Sequence, residues 1–274
     1  MKKSGVNCVR MHYPQNPALL ALYDEIGFLV MEEVPLNWWG QKWWPGREAP
    51  QSMDILQPAS AALTAMIRRD RNHPCVFAWS MANESATQTE VGQAVMRALL
   101  QEARRLDPSR LATFVVAGDA RPHLAAAEAD ILCTNIYYGL HQKPAAHHRN
   151  QLHELVYTPS RRHLEEQAAA FPGKPVLVTE FGMRGIKGVH GDVAFSEDFQ
   201  ADYLACMLQV LADSPDVAGG MLWSWADYYH RRELIDYAVF GPYGMVTVDR
   251  APKAALKVLA AGYRAIRPTR RKDG

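Results

Sequence analysis

The chain has 274 residues, 30 Lys and Arg against 29 Asp and Glu, and 48% hydrophobic residues. This is an ordinary globular mix, long enough to bury roughly 75% of its unfolded surface, and a formal charge of +1 argues against a polyanion partner such as nucleic acid. No run approaches the roughly 18 apolar residues of a membrane span and no apolar segment follows Met1-Lys2-Lys3, so neither membrane insertion nor a signal peptide is expected, and the cytoplasm is the default address.

Cys8, Cys75, Cys133 and Cys206 lie too far apart for a metal or redox motif and are expected to be small buried thiols. In chain order, Val6 to Met11 reads as a strand. Asn16 caps a helix with Pro17 at its first position and Gly27 beyond its end. Its expected apolar stripe is Leu19, Leu22, Tyr23 and Ile26. Phe28 to Met31 is the second strand. A loop rich in Trp, Gly and Pro follows, then a helix near Ala59 to Arg69.

Val76 to Met81 is the third strand and Thr89 to Leu106 a long helix. Leu111 to Val116 and Ile131 to Ile136 are the fourth and fifth strands, around a short helix near Pro122 to Ala129. Ser160 is a candidate cap for a helix reaching Ala170, and Val176 to Thr179 is the sixth strand. Ser196 opens a helix with Glu197 and Asp198 at its positive end, and its stripe is Phe199, Tyr203, Met207, Val210 and Leu211. Gly220 to Trp225 is the seventh strand, and the last helix runs from about Pro252 to Ile266. Strict alternation of this kind predicts βα units on a parallel sheet with right-handed crossovers. Seven strands are one short of a closed (β/α)8 barrel, in which chemistry sits at the carboxyl ends of the strands.

Two glutamates stand at such ends. Glu84 follows Trp79-Ser80-Met81-Ala82-Asn83, and Glu180 follows Pro175-Val176-Leu177-Val178-Thr179. They are 96 residues apart, close to three βα units of roughly 30 residues. Each would cap the following helix if it did nothing else. Placed at corresponding strand tips, both are expected to project into one cleft. Such a pair suits glycoside hydrolysis: one carboxyl, protonated, donates to the leaving oxygen, while the other, ionised, attacks the anomeric carbon. Mutual repulsion keeps one of the two protonated near neutral pH.

Arg71-Asn72-His73-Pro74 followed by Trp79 to Glu84 resembles the acid/base signature of glycoside hydrolase family 2, which contains β-galactosidases, β-glucuronidases and β-mannosidases. Gly5 to Pro14 resembles its second-strand motif and Asp24 to Glu33 the run into its third strand. Pro175 to Gly182 resembles the nucleophile segment and Gly220 to Trp225 the eighth strand, and Tyr243 to Val246 with Asp249 to Lys253 match the closing segment. The resemblance implies a (β/α)8 (TIM) barrel over residues 1–267, lacking the first strand and helix; the Lys/Arg-rich composition of 268–274 reads as a disordered basic tail. It implies a retaining exo-β-glycosidase acting on a terminal β-galactoside or β-glucuronide, with Glu84 as acid/base and Glu180 as nucleophile. Asn83 would bond the sugar 2-hydroxyl. Asn135 and Tyr137 match the strand-six motif, with the Tyr137 hydroxyl orienting Glu180. Arg10 and His12 match polar residues on the second strand's tip, and Trp223 would form the floor beneath the sugar.

Each residue also has a plainer reading: Tyr137 as a half-buried barrel aromatic, His12 as a satisfied core histidine, and Trp223 and Trp225 as alternating in and out along a strand. No cofactor is expected. Some β-galactosidases of the family bind Mg2+ beside the acid/base, but no full ligand set is visible. The expected partner is a carbohydrate, with N-terminal β-sandwich domains or a second copy as candidates for the missing first-strand gap. The Asn-x-Lys motif of the family's uronidases is absent from Tyr237 to Gly244, with Arg231 and Arg232 just upstream as another anion contact, while Gly188 to Asp192 through Phe199-Gln200 looks closer to glucuronidases than to galactosidases. Trp38, Trp39, Trp43 and Trp44 are read as a sugar-stacking platform or a protein contact surface. His141, His147, His148, His153 and His163 are read as a solvated loop. The competing function is a noncatalytic sugar-binding or scaffold barrel, or an inactive fragment of a longer glycosidase.

Overall fold

The structure is a computed structural model that describes residues 1–41, 50, 52–229 and 239–266. Trp43, Trp44, Arg231, Arg232 and the basic tail lie outside the described residues. Seven strands follow one another in a single sheet: β1 (Cys8–Met11), β2 (Leu29–Glu33), β3 (Val76–Asn83), β4 (Leu111–Ala117), β5 (Leu132–Asn135), β6 (Val176–Phe181) and β7 (Val217–Leu222). The pairings from β1 through β5 are all parallel, which requires a crossover between strands. The major helices are α1 (Pro17–Ile26), α2 (Leu56–Asp70), α3 (Glu90–Leu106), α4 (Thr158–Ala170), α5 (Glu197–Ala212) and α6 (Ala255–Ala265). Among the described residues, no helix is long and apolar enough to cross a membrane.

The chain divides into two compact units. One holds residues 7–135 and 166–179, and so contains β1 to β5 and the Val176–Thr179 part of β6. Its strands read as apolar runs because both faces are covered: Val30, Met31, Ala78, Trp79, Met81 and Val115 are all fully buried. Against them α3 lays Val95, Met96, Leu99, Leu100 and Ala103. That helix starts where Thr89 accepts a bond from the Gly92 amide at 3.0 Å. Gly92 itself is required, because a Cβ there would lie 2.1 Å from the Ala86 carbonyl oxygen.

Helix α1 has the expected ends: the Asn16 side chain accepts from the Ala18 amide at 2.9 Å, and Gly27 terminates it at φ 76°. Its buried face differs from the expected stripe. Leu20 and Tyr23 are the buried pair, Tyr23 meeting Phe28 edge-on at 5.5 Å, whereas Leu22 and Ile26 are 44% and 41% exposed. The chain reversal at Gly27 brings Phe28 back onto Tyr23, and that turns the helix.

The other unit holds residues 1–6, 136–165 and 180–274, with the Glu180–Phe181 tip of β6, β7, α5 and α6. Ser196 caps α5 through the Phe199 amide at 3.0 Å, and Phe199, Tyr203, Met207, Val210 and Leu211 are buried along one stripe. Three expectations are corrected here. Ser160 is no cap: a π turn at His153–Tyr157 runs straight into α4, and the buried Ser160 hydroxyl faces the Met207 sulfur. Strand β7 ends at Leu222, so Trp223 and Trp225 lie beyond it, and both are half-buried. Of the four thiols, Cys75 and Cys133 are buried but Cys8 and Cys206 are only half-buried.

Candidate active site

Each unit carries one of the two glutamates, and each glutamate has its own set of donors. Asn83 ends β3, and Glu84 follows with φ 44°, a left-handed conformation that non-glycine residues rarely adopt. The turn is held from both sides. The Glu84 amide donates to Val115 at 2.9 Å, and the Asn83 amide donates to Leu36 at 2.9 Å while its carbonyl accepts from the Trp38 amide at 3.0 Å. Trp38, also left-handed at φ 54°, turns its indole Nε1 onto Glu84 Oε2 at 2.8 Å. Asn135, the last residue of β5, donates Nδ2 to Glu84 Oε1 at 2.8 Å. A carboxyl with a fixed donor on each oxygen has a defined orientation, which proton transfer requires.

Beneath Glu84 lies a buried polar network. Arg10 on β1 donates Nη2 to Asn83 Oδ1 at 2.7 Å and its Nε and Nη2 to Glu33 Oε2 at 3.1 and 3.0 Å. His12 is half-buried, with Nδ1 3.7 Å from Glu33 Oε1. Asn83 Nδ2 donates to Asn37 Oδ1 at 2.7 Å, and Asn135 Oδ1 accepts the Thr179 hydroxyl at 2.8 Å. The structure therefore brings Arg10, His12, Asn83, Glu84 and Asn135 into one cluster within this unit. Glu33, Asn37, Ser80, Thr179 and the indole of Trp38 were missed as parts of it. The signal for Glu33 was two consecutive acidic residues ending an apolar strand, of which one must point inward.

In the other unit the Tyr137 hydroxyl donates to Glu180 Oε2 at 2.8 Å, and the Ile136 amide donates to the Glu180 carbonyl at 2.9 Å. Glu180 is 7% exposed. Gly182, two residues on, has no room for a side chain, since a Cβ would sit 2.1 Å from the Trp223 carbonyl oxygen. Trp223 donates Nε1 to the Tyr228 hydroxyl at 2.8 Å, and burial pushes the Tyr228 phenol well above its ordinary pKa. Tyr228 stacks on Tyr243 at 6.4 Å, and the Tyr243 hydroxyl takes Arg184 Nε at 2.9 Å and faces His141 Nε2 at 3.2 Å. The Tyr137 and His141 rings meet edge-on at 5.2 Å. A wall of aromatic rings with one guanidinium thus belongs to the same unit as Glu180.

The five histidines do not form one solvated loop: His163 is buried edge-on to Tyr138, and His153 stacks on Tyr157 at 5.1 Å. Among the described residues, no group of three or more His, Cys, Asp or Glu side chains is disposed to hold a metal ion.

The profile described as "Glycosyl hydrolases family 2, TIM barrel domain" matches residues 1–267. The chain belongs to glycosyl hydrolase family 2. Its fold is that family's TIM barrel domain, with seven strands in the main sheet among the described residues. A β-glucuronidase of Paenibacillus borealis is 34% identical over 260 residues, covering 92% of this chain and 42% of that protein. The β-glucuronidase of Sus scrofa is 30% identical over 267 residues, covering 94% and 38%. Among solved structures, a β-glucuronidase from Ruminococcus gnavus in complex with D-glucaro 1,5-lactone superposes with a TM-score of 0.84 at 30% identity, over 96% of this chain and 44% of that one. The chain therefore spans less than half the length of these family 2 relatives.

Proposed function

We propose that this family 2 barrel is the catalytic domain of a retaining exo-β-glycosidase that removes terminal β-D-glucuronic acid through a covalent glycosyl-enzyme. The observation that carries the reading is that Glu84 and Glu180, each at the carboxyl end of its strand, are both held by dedicated side-chain donors: Trp38 and Asn135 on one, Tyr137 on the other.

In the first step a Glu180 carboxylate oxygen bonds the anomeric carbon, the glycosidic bond breaks, and Glu84 gives its proton to the departing oxygen. In the second, Glu84 takes a proton from water as the water oxygen bonds the anomeric carbon and the Glu180 ester breaks. Asn83 offers its Nδ2 to the sugar 2-hydroxyl, a bond that strengthens toward the oxocarbenium-like transition state. Trp223 supplies a face for the sugar ring. The relatives named β-glucuronidase favour a uronide over a galactoside. The Asn-x-Lys motif of the family's uronidases is absent from Tyr237 to Gly244, and the Arg184 guanidinium bonded to Tyr243 is the cation assigned to the sugar carboxylate.

Aryl β-glucuronide and β-galactoside turnover tests the reading. The expected result is faster glucuronide hydrolysis, with the β anomer released first. Glu180→Gly should be inactive and regain turnover with azide, yielding the inverted glycosyl azide. Sugar binding without turnover would turn the reading toward a noncatalytic barrel.

A further inference from the structure

We propose that Glu33 is a positioning residue for the acid/base: through Arg10 it fixes which way Asn83 turns its amide, and through Asn83 and Asn135 it steadies the side chain of Glu84. The proposal rests on the roles given to Asn83 and Glu84 above, but the link itself can be read without turnover.

Glu33 is fully buried. A carboxylate there is costly unless donors converge on it, and they do. Arg10 reaches Oε1 at 3.1 Å as well as Oε2, and the Ser80 hydroxyl donates to Oε2 at 2.7 Å. A guanidinium is a rigid fork that only donates. Once Glu33 has fixed its plane, the remaining reach of Nη2 meets Asn83, so the atom Asn83 presents must be its oxygen. Asn135 agrees: its Nδ2 donates to that same Oδ1 at 3.1 Å, because its own oxygen is committed to the Thr179 hydroxyl. Two donors on Oδ1 leave Asn83 Nδ2 pointing the other way, toward Asn37, which is exposed.

The consequence is chemical. Were the Asn83 amide flipped, it would offer an oxygen where the proposed reaction needs a donor. Were Asn83 loose, Asn135 would lose one of the two acceptors that set its position against Glu84. Packing alone would not need this arrangement, since Ser80 and Arg10 could satisfy Glu33 without Arg10 also bonding Asn83. The neighbouring Glu32 shows the contrast: it is equally buried, but it pairs with Arg69 at 3.6 Å.

The test labels asparagine with 15N and follows the side-chain amides of Asn83 and Asn135, assigned by their loss in Asn83→Ser and Asn135→Ser. Glu33→Gln keeps the shape and a bond for Ser80 but removes the charge that orients Arg10. The expected result is side-chain amide exchange at Asn83 and Asn135 at least tenfold faster, with Asn16, the distant cap of α1, unchanged; Glu33→Asp should restore part of the protection. Should Glu33→Gln not fold, Arg10→Lys reads the same link, since it keeps the charge but replaces the rigid fork by a single nitrogen. Where the protein turns over an aryl β-glucuronide, Glu33→Gln should lower kcat at least tenfold with KM changed less than threefold. That penalty should shrink on the 2-deoxy substrate, which gives Asn83 nothing to bond, and what remains is the part carried through Asn135 to Glu84. A folded Glu33→Gln protein with native amide exchange at both asparagines overturns the proposal. A wild-type protein without turnover overturns only the function proposed above, and the amide exchange still decides the role of Glu33.

Discussion

Asn135 holds Glu84 by a single 2.8 Å bond from Nδ2 to Oε1, and is itself held by the Thr179 hydroxyl at 2.8 Å. The bond joins the end of β5 to the residue just past the end of β3, two strands that are not neighbours in the sheet. A hydrogen bond to a charged group contributes about 1.5–3 kcal/mol, a factor of roughly 10 to 150 in rate if it is lost from the transition state. Asn135→Ala is therefore expected to lower kcat/KM on an aryl β-glucuronide by about 10- to 100-fold. It should also cost about 1–3 kcal/mol of stability, because the buried Thr179 hydroxyl loses its acceptor. Steady-state kinetics with a urea titration checks both, and unchanged kcat/KM in a folded variant would remove Asn135 from the site.

Tyr137 bears on Glu180 in a simpler way. Tyr137→Phe deletes one oxygen and the 2.8 Å bond to Oε2 while leaving the ring against His141. The expected loss is again about 10- to 100-fold in kcat/KM, with a melting temperature within a few degrees of the parent, since the ring is only half-buried. A variant that loses stability but keeps its rate would mark Tyr137 as a structural aromatic.

Arg184 offers a test of which sugar the site takes. Its guanidinium lies 5.5 Å from the centres of both the Phe195 and Tyr243 rings. If it receives a uronate carboxylate, Arg184→Met should cost the glucuronide about 10- to 100-fold in kcat/KM and the neutral galactoside much less. Equal losses on both substrates would show that Arg184 supports the wall and does not choose the sugar.

The order of the strands was legible in the sequence because parallel strands buried on both faces are written as short apolar runs, and Asn16, Thr89 and Ser196 cap their helices as their chemistry demands. Ser160 misled because a capping residue type says nothing when the preceding turn is already helical. Leu22 and Ile26 misled because helical periodicity offers several faces, and tertiary contacts such as Tyr23 on Phe28 select one. The glutamates were found from their position at strand tips. The residues behind Glu84 were harder to see, since Glu33 and Thr179 are 51 and 95 residues from it in sequence and no local pattern ties them to it.

The partner of Glu33 on β2 predicts a pH effect remote from any chemistry. Glu32 is fully buried and faces Asp70 at the end of α2, itself fully buried. Burial, reinforced by the Asp70 charge, pushes the Glu32 carboxyl up to about 8. Its ordinary value is near 4.5, so between these limits the unfolded chain has released a proton that the folded chain still holds. The folded state then binds more protons than the unfolded one, and stability must fall as pH rises through this window, by up to about 1.4 kcal/mol per unit, before levelling off above pH 8. Glu32→Gln holds its hydrogens at every pH and takes no part in that fall. Urea midpoints at pH 5, 6.5 and 8 should therefore show the variant gaining steadily on the parent, with the largest advantage at pH 8. Curves that run parallel from pH 5 to 8 would mean that Glu32 is already ionised in the fold, stabilised by Arg69 at 3.6 Å in spite of Asp70.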